Sequence, residues 1–124
     1  YWYSYLITTG AGGALKLELS GPDAATGTVR TNTGEWVHGV LVRDYVANGC
    51  RIYVNGVADS VTLGGTMQRD VTNTANVTMG QYSDNVETLQ GTLGPVMIFN
   101  RALNVQEIKD LYQDPYGMIL KQED

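Results

Sequence analysis

The sequence predicts an all-β fold: a two-sheet antiparallel jelly-roll sandwich with one short C-terminal-side helix. Three observations predict it. Fifteen Gly and many Thr and Val, with turn signals between short apolar runs, favour strands over helices. Leu15, Leu17 and Leu19 alternate with Lys16 and Glu18, the period of a strand with one wet face. One stretch alone, Gly91 to Tyr112, carries a helix signature, and it stands near the end of the chain.

Taken in order, Tyr3 to Thr9 reads as a strand and Thr9 to Gly13 as a turn. The leucine strand follows, then a loop at Ser20-Gly21-Pro22-Asp23 and a short polar strand from Gly27 to Asn32, near an edge. In EWVHGVLVRD, Trp36, His38, Val40 and Val42 are expected on one face, and Val37, Leu41 and Arg43 on the other. Asn48-Gly49 is a tight-turn signal. The strand CRIYVNG then places Cys50, Ile52 and Val54 opposite Arg51, Tyr53 and Asn55, and Asn55-Gly56 is a second turn. Between Asp59 and Thr74 only a fragment around Val61 and Leu63 reads as strand. Asn76 to Gln81 reads as a strand with Val77 and Met79 inward, followed by the acidic polar loop Gln81 to Gln90.

The closing strand draws on Leu93, Val96 and Ile98, with a break at Gly94-Pro95. Asn104 and Glu107 stand at capping-box spacing, Leu103 and Ile108 fit a hydrophobic staple, and Ile108, Leu111 and Tyr112 form one apolar helical face.

Length and charge narrow the function classes. The 124 residues, 1–124, form one domain, large enough to fold without a metal or a disulfide. Eight basic residues are scattered through a chain of net charge −5, which argues against nucleic acid or an anionic membrane as partner. No apolar run is long enough for membrane insertion. Cys50 has no partner for an internal disulfide and reads as a buried small apolar residue.

The ordered set EWVHGVLVRD, RIYVNGV and VTMGQY…LQGTLGPVMIFNRALNVQEIKDLY resembles the laminin G-like and pentraxin-like group of concanavalin A-like lectin domains. Trp36, His38, Tyr53, Val54, Asn55 and Gly56 match in order and spacing, as do Gly80, Gly91, Val96, Asn100 to Leu103, and Leu111. The resemblance implies a structural role for Trp36, His38, Tyr53, Asn55 and Gly56, beside that of Asn104 and Glu107 in the helix cap. It also implies a non-catalytic binding or adhesion module of a larger surface or virion protein. Where the family usually has Asp-Glu, this chain has Gly94-Pro95, so a family-type calcium site is in doubt. Family members are usually longer at the amino end by one or two strands. Completion by other residues or by a partner chain is therefore expected around Tyr1, Trp2 and Tyr3.

The candidate sites follow. His38 is the single histidine and reads as structural, which leaves no zinc set. Laminarinase-type enzymes of this fold carry Glu-x-Asp-x-x-Glu, and Glu18, Glu35, Asp44 and Asp59 stand singly, so an enzyme, a glycoside hydrolase above all, is not expected. Asp84, Asn85 and Glu87 form a solvated acidic loop or a calcium site built from oxygen ligands, and Asp44 with Asn48 is a second such pair. Tyr45 and Tyr82 could pack internally or stack on a sugar ring or a protein. The tail with Tyr116, Met118, Ile119 and Leu120 either folds back or docks on a neighbour. The expected partners are a glycan or a protein at sandwich loops, in an extracellular, cell-surface or virion-surface setting. Assembly as a homo-oligomer, or as a decoration, fibre or tail component of a bacteriophage particle, is the alternative.

Overall fold

In the computed structural model, residues 6–9, 12–72, 74, 76–81 and 88–117 are described. Among the described residues, seven strands and one helix follow in order: β1 (Leu6–Thr9), β2 (Ala14–Ser20), β3 (Asp23–Arg30), β4 (Gly39–Asp44), β5 (Gly49–Val54), β6 (Val57–Asp59), β7 (Thr62–Gly64) and α1 (Val105–Gln113). They form two antiparallel sheets, ordered β1-β2-β3-β7 and β4-β5-β6.

The sandwich core lies between the sheets. Leu17, Leu19 and Ala25 from the first sheet meet Cys50 and Ile52 from the second, with Met67 inserted from the segment after β7. Alternation in β2 and β5 delivers these residues to one face, as the sequence pattern requires. Burial pushes the Cys50 thiol up to about 11, so it sits in the core as an inert apolar group.

The opposite face of the β4-β5 pair is also covered. Val42 and Tyr53 pack with Leu103, Ile108 and Leu111, and Val40, Met97 and Phe99 complete this second cluster. The cap of α1 is made as its sequence predicts. The Glu107 amide donates to Asn104 Oδ1, and the Asn104 amide donates to Glu107 Oε2, each at 2.9 Å. The Arg101 guanidinium grips the same carboxylate through both terminal nitrogens. That ion pair and the cap amide hold Glu107 down to about 2. Leu103 and Ile108 are both buried, as a staple requires.

The turns explain the spacing of the family-like residues. Asn55 (φ 51) and Gly56 (φ 76) both take left-handed backbone, the turn that matches strand twist between β5 and β6. Asn55 Oδ1 accepts from the His38 amide at 2.9 Å, and the Asn55 amide donates to the His38 carbonyl at 2.8 Å. His38 and the Asn-Gly turn are therefore one unit. Asp59 ties the two sheets together. Its carboxylate accepts from the Thr28 and Val29 amides and the Thr28 hydroxyl, on the stretch of β3 that β7 does not reach. Gly27 leaves room for that carboxylate, since a Cβ would stand 2.3 Å from Asp59 Oδ2 and the side chain would have to shift.

Several expectations need correction. The loop expected at residues 20–23 is a two-residue turn, with Gly21 at φ 58, so β3 begins at Asp23 rather than at residue 27. Trp36 lies before β4 and is 71% exposed, not on the covered face with Val40 and Val42. Residues 76–80 form no strand, and Val77 and Met79 are exposed rather than inward. Residues 92–99 form no strand either. Their inward residues are Met97 and Phe99, while Leu93, Val96 and Ile98 are exposed. The run Val96-Met97-Ile98-Phe99 is apolar on both parities, and a one-residue shift after Gly94-Pro95 reverses its faces.

Candidate functional site

The loops at one end of the second sheet meet the segment after β7 and enclose an open cleft of about 330 Å³. Arg43, Tyr45, Arg69, Asp70 and Val71 line it. Val71 also packs on the sandwich core.

Each wall is braced by hydrogen bonds that span long sequence distances. At the end of β4, Arg43 follows Leu41 on the core-facing parity. Arg43 Nε donates to the Met67 carbonyl at 2.7 Å, and a terminal nitrogen donates to the Arg69 carbonyl. The Arg43 guanidinium lies 5.4 Å from the Tyr45 ring centroid, a cation–π contact that props the ring at the lip, where Tyr45 is 56% exposed. In the turn after Tyr45, Asn48 takes φ 51, and its Oδ1 accepts from the Met67 amide at 2.7 Å and the Thr66 hydroxyl at 2.9 Å. The Ala47 amide donates to Asp44 Oδ1 at 2.9 Å. The Asp44 and Asn48 oxygens offered as a cation pair thus serve the turn and its strap.

The opposite wall stands on Asp23. This carboxylate is buried in the fold, accepts from the Thr66 amide at 2.9 Å and pairs with Arg69 Nε. Those two bonds hold its carboxyl below the usual range, so it stays ionised. The terminal nitrogens of Arg69 have no hydrogen-bond partner among the described residues, and its side chain is 41% exposed. Asp70 is also held down, by the Thr72 amide and hydroxyl.

His38 occupies a different place. Its ring centroid is 5.8 Å from that of Tyr112, and its Nδ1 is buried with no hydrogen-bond partner among the described residues. Burial lowers its pKa from the ordinary 6.5. The folded protein therefore favours the neutral ring more than the unfolded chain does. That stability is fully present above pH 6.5 and falls as pH drops from there through the folded pKa. A His38→Gln variant is expected to show a flatter stability profile between pH 7 and 5 in urea melts than the parent. Parallel profiles would contradict the placement.

Of the sequence candidates, Tyr45 is in the cleft and Tyr116 is exposed beyond α1. Tyr82, Asp84, Asn85, Glu87, Tyr1, Trp2, Tyr3, Met118, Ile119 and Leu120 lie outside the described residues, as does any calcium site at Asp84, Asn85 and Glu87. Among the described residues no three His, Cys, Asp or Glu side chains group as metal ligands, and no helix is long and apolar enough to cross a membrane. Sequence reasoning missed Arg43, Arg69 and Asp70. The available signal was Arg43, a charged residue on the core-facing parity of β4.

Two antiparallel sheets over one core, a capped helix behind the second and a loop-built cleft at the rim define a lectin-type sandwich. Residues 2–109 match the Laminin_G_3 family model, described as the concanavalin A-like lectin/glucanases superfamily, and the chain belongs to that family. A similar solved structure is the crystal structure at 2.1 Å of an S-layer domain-containing protein (residues 221–444) from Clostridium thermocellum ATCC 27405. It shares 20% identity at a TM-score of 0.52, covering 87% of this chain and 55% of that one. That likeness concerns the fold, and this chain spans about half of that structure. No curated protein matches the sequence.

Proposed function

We propose that this domain is a non-catalytic recognition module of a larger surface protein, taking a glycan or protein partner at the cleft between residues 43–48 and 66–72. The observation that carries this reading is the braced rim. An exposed aromatic ring rests on the Arg43 guanidinium, which is itself hydrogen-bonded to the Met67 carbonyl, and an exposed guanidinium is held at Nε by the buried Asp23, which limits the side-chain freedom lost on binding. Membership of a lectin-type superfamily supports recognition, and the S-layer name of the solved relative supports a surface setting. The lack of a Glu-x-Asp-x-x-Glu motif supports a role without catalysis. Tyr45→Ala is expected to abolish most of the signal on a glycan array while leaving the thermal midpoint nearly unchanged. Binding that survives Tyr45→Ala unaltered would remove this cleft from the reading.

A second reading is favoured by a separate observation. Trp36, Val77, Met79, Leu93, Val96 and Ile98 are all large, apolar and exposed. Gly94 lies against Trp36, and Gly80 lies against Leu93, so these segments adjoin. Such residues suit assembly, as in a bacteriophage decoration, fibre or tail component. Sedimentation velocity separates the two readings. Concentration-dependent self-association that is lost in Ile98→Ser favours assembly, and a monomer at all concentrations removes it.

A further inference from the structure

We infer that the cleft takes an acidic sugar, holding its carboxylate on Arg69 and its ring against Tyr45. This deepens the recognition reading above and rests on it. The chain is acidic, yet two of its eight basic residues converge here against one lining carboxylate. The two arginines have different duties. Arg43 is committed to the Met67 and Arg69 carbonyls and to the Tyr45 ring, so it acts as a strut. Arg69 is committed at Nε alone, to the buried Asp23.

What Arg69 leaves over is its pair of terminal N–H₂ groups. A planar fork of this kind fits a carboxylate by two parallel hydrogen bonds, a match that a hydroxyl cannot make and an ammonium cannot offer. Asp70 makes no ion pair with that fork among the described residues; its Oδ1 accepts from the Thr72 amide and hydroxyl, and its carboxylate lies in the field of Arg43. Tyr45 is propped from one side by Arg43 and remains more than half exposed, which suits stacking on the apolar face of a sugar ring. A volume of about 330 Å³ is at the low end for small-molecule sites and suits one residue of a glycan rather than a long segment.

Isothermal titration calorimetry on the whole chain tests this with two matched pairs: trigalacturonate against galactotriose, and sialyllactose against lactose. At least one acid is expected to bind roughly tenfold or more tightly than its neutral counterpart, since charge-assisted bonds are being compared with neutral ones. Arg69→Lys keeps a cation beside Asp23 and should leave the thermal midpoint close to that of the parent, yet remove most of the acid preference. Tyr45→Ala should weaken the acid and the neutral sugar together.

Equal binding of acid and neutral sugars, both lost in Tyr45→Ala, overturns the acidic class while the recognition reading stands. An acid preference that survives Arg69→Lys, and survives Arg69→Gln as well, overturns the assignment to this fork. Absence of binding by all four sugars overturns the inference. In that case array binding that still depends on Tyr45 leaves the recognition reading intact, and its absence removes both.

Discussion

Ile108→Ala lowers the unfolding free energy by about 3 kcal/mol, the range for a fully buried aliphatic side chain whose cavity cannot collapse. Ile108 has no exposed surface and sits among Val42, Tyr53, Leu103 and Leu111. Its neighbours come from both the β4-β5 pair and the chain leading into α1, so the void would open between elements and could not be closed by one side chain turning. Ile108→Val should cost about 1 kcal/mol, since one methylene is removed. Urea melts at constant m-value measure both. A loss below 1 kcal/mol for the alanine variant would mean that the helix does not cover the outer face of the second sheet.

The helix was legible from the sequence because every signal for it is local. Asn104, Glu107, the flanking Leu103 and Ile108, and the apolar face all lie within ten residues. The Asn55-Gly56 turn was legible for the same reason, since left-handed backbone is easiest for those two residue types. Faces were legible where apolar and polar residues alternate, as in β2 and β5. They were not legible in the run Val96 to Phe99, or at Val77 and Met79, where apolar residues do not say which side is covered. β3 begins four residues before the expected Gly27, because Gly21-Pro22 forms a two-residue turn rather than a longer loop. The cleft was the least legible part. Thr66 and Arg69 reach Asp23 across 43 and 46 positions, and Arg43 reaches Met67 across 24. No local pattern encodes contacts at that range.

Met67→Ala should be as damaging as the change at Ile108, at about 3 kcal/mol, and for a reason that joins fold to site. The Met67 side chain is fully buried in the sandwich core, although no strand or helix contains it. Its amide donates to Asn48 and its carbonyl accepts from Arg43. The side chain therefore anchors the strap that aligns both walls of the cleft. Met67→Leu conserves volume and should cost less than about 1.5 kcal/mol. Chemical denaturation gives the stabilities. A Met67→Ala loss near that of Met67→Leu would show that the strap is held by its backbone bonds alone.

That strap is why the rim, rather than the exposed apolar segments, carries the functional proposal. Arg43, Asn48 and Asp23 hold the cleft from inside the fold, whereas nothing among the described residues covers Trp36, Val96 or Ile98. Amide chemical-shift mapping during titration with trigalacturonate tests the cleft most directly. Saturating shifts clustered at residues 43–48 and 66–72 are expected, and they should be absent in Tyr45→Ala. Shifts confined to residues 76–81 and 88–99, or a spectrum that does not change, would contradict it.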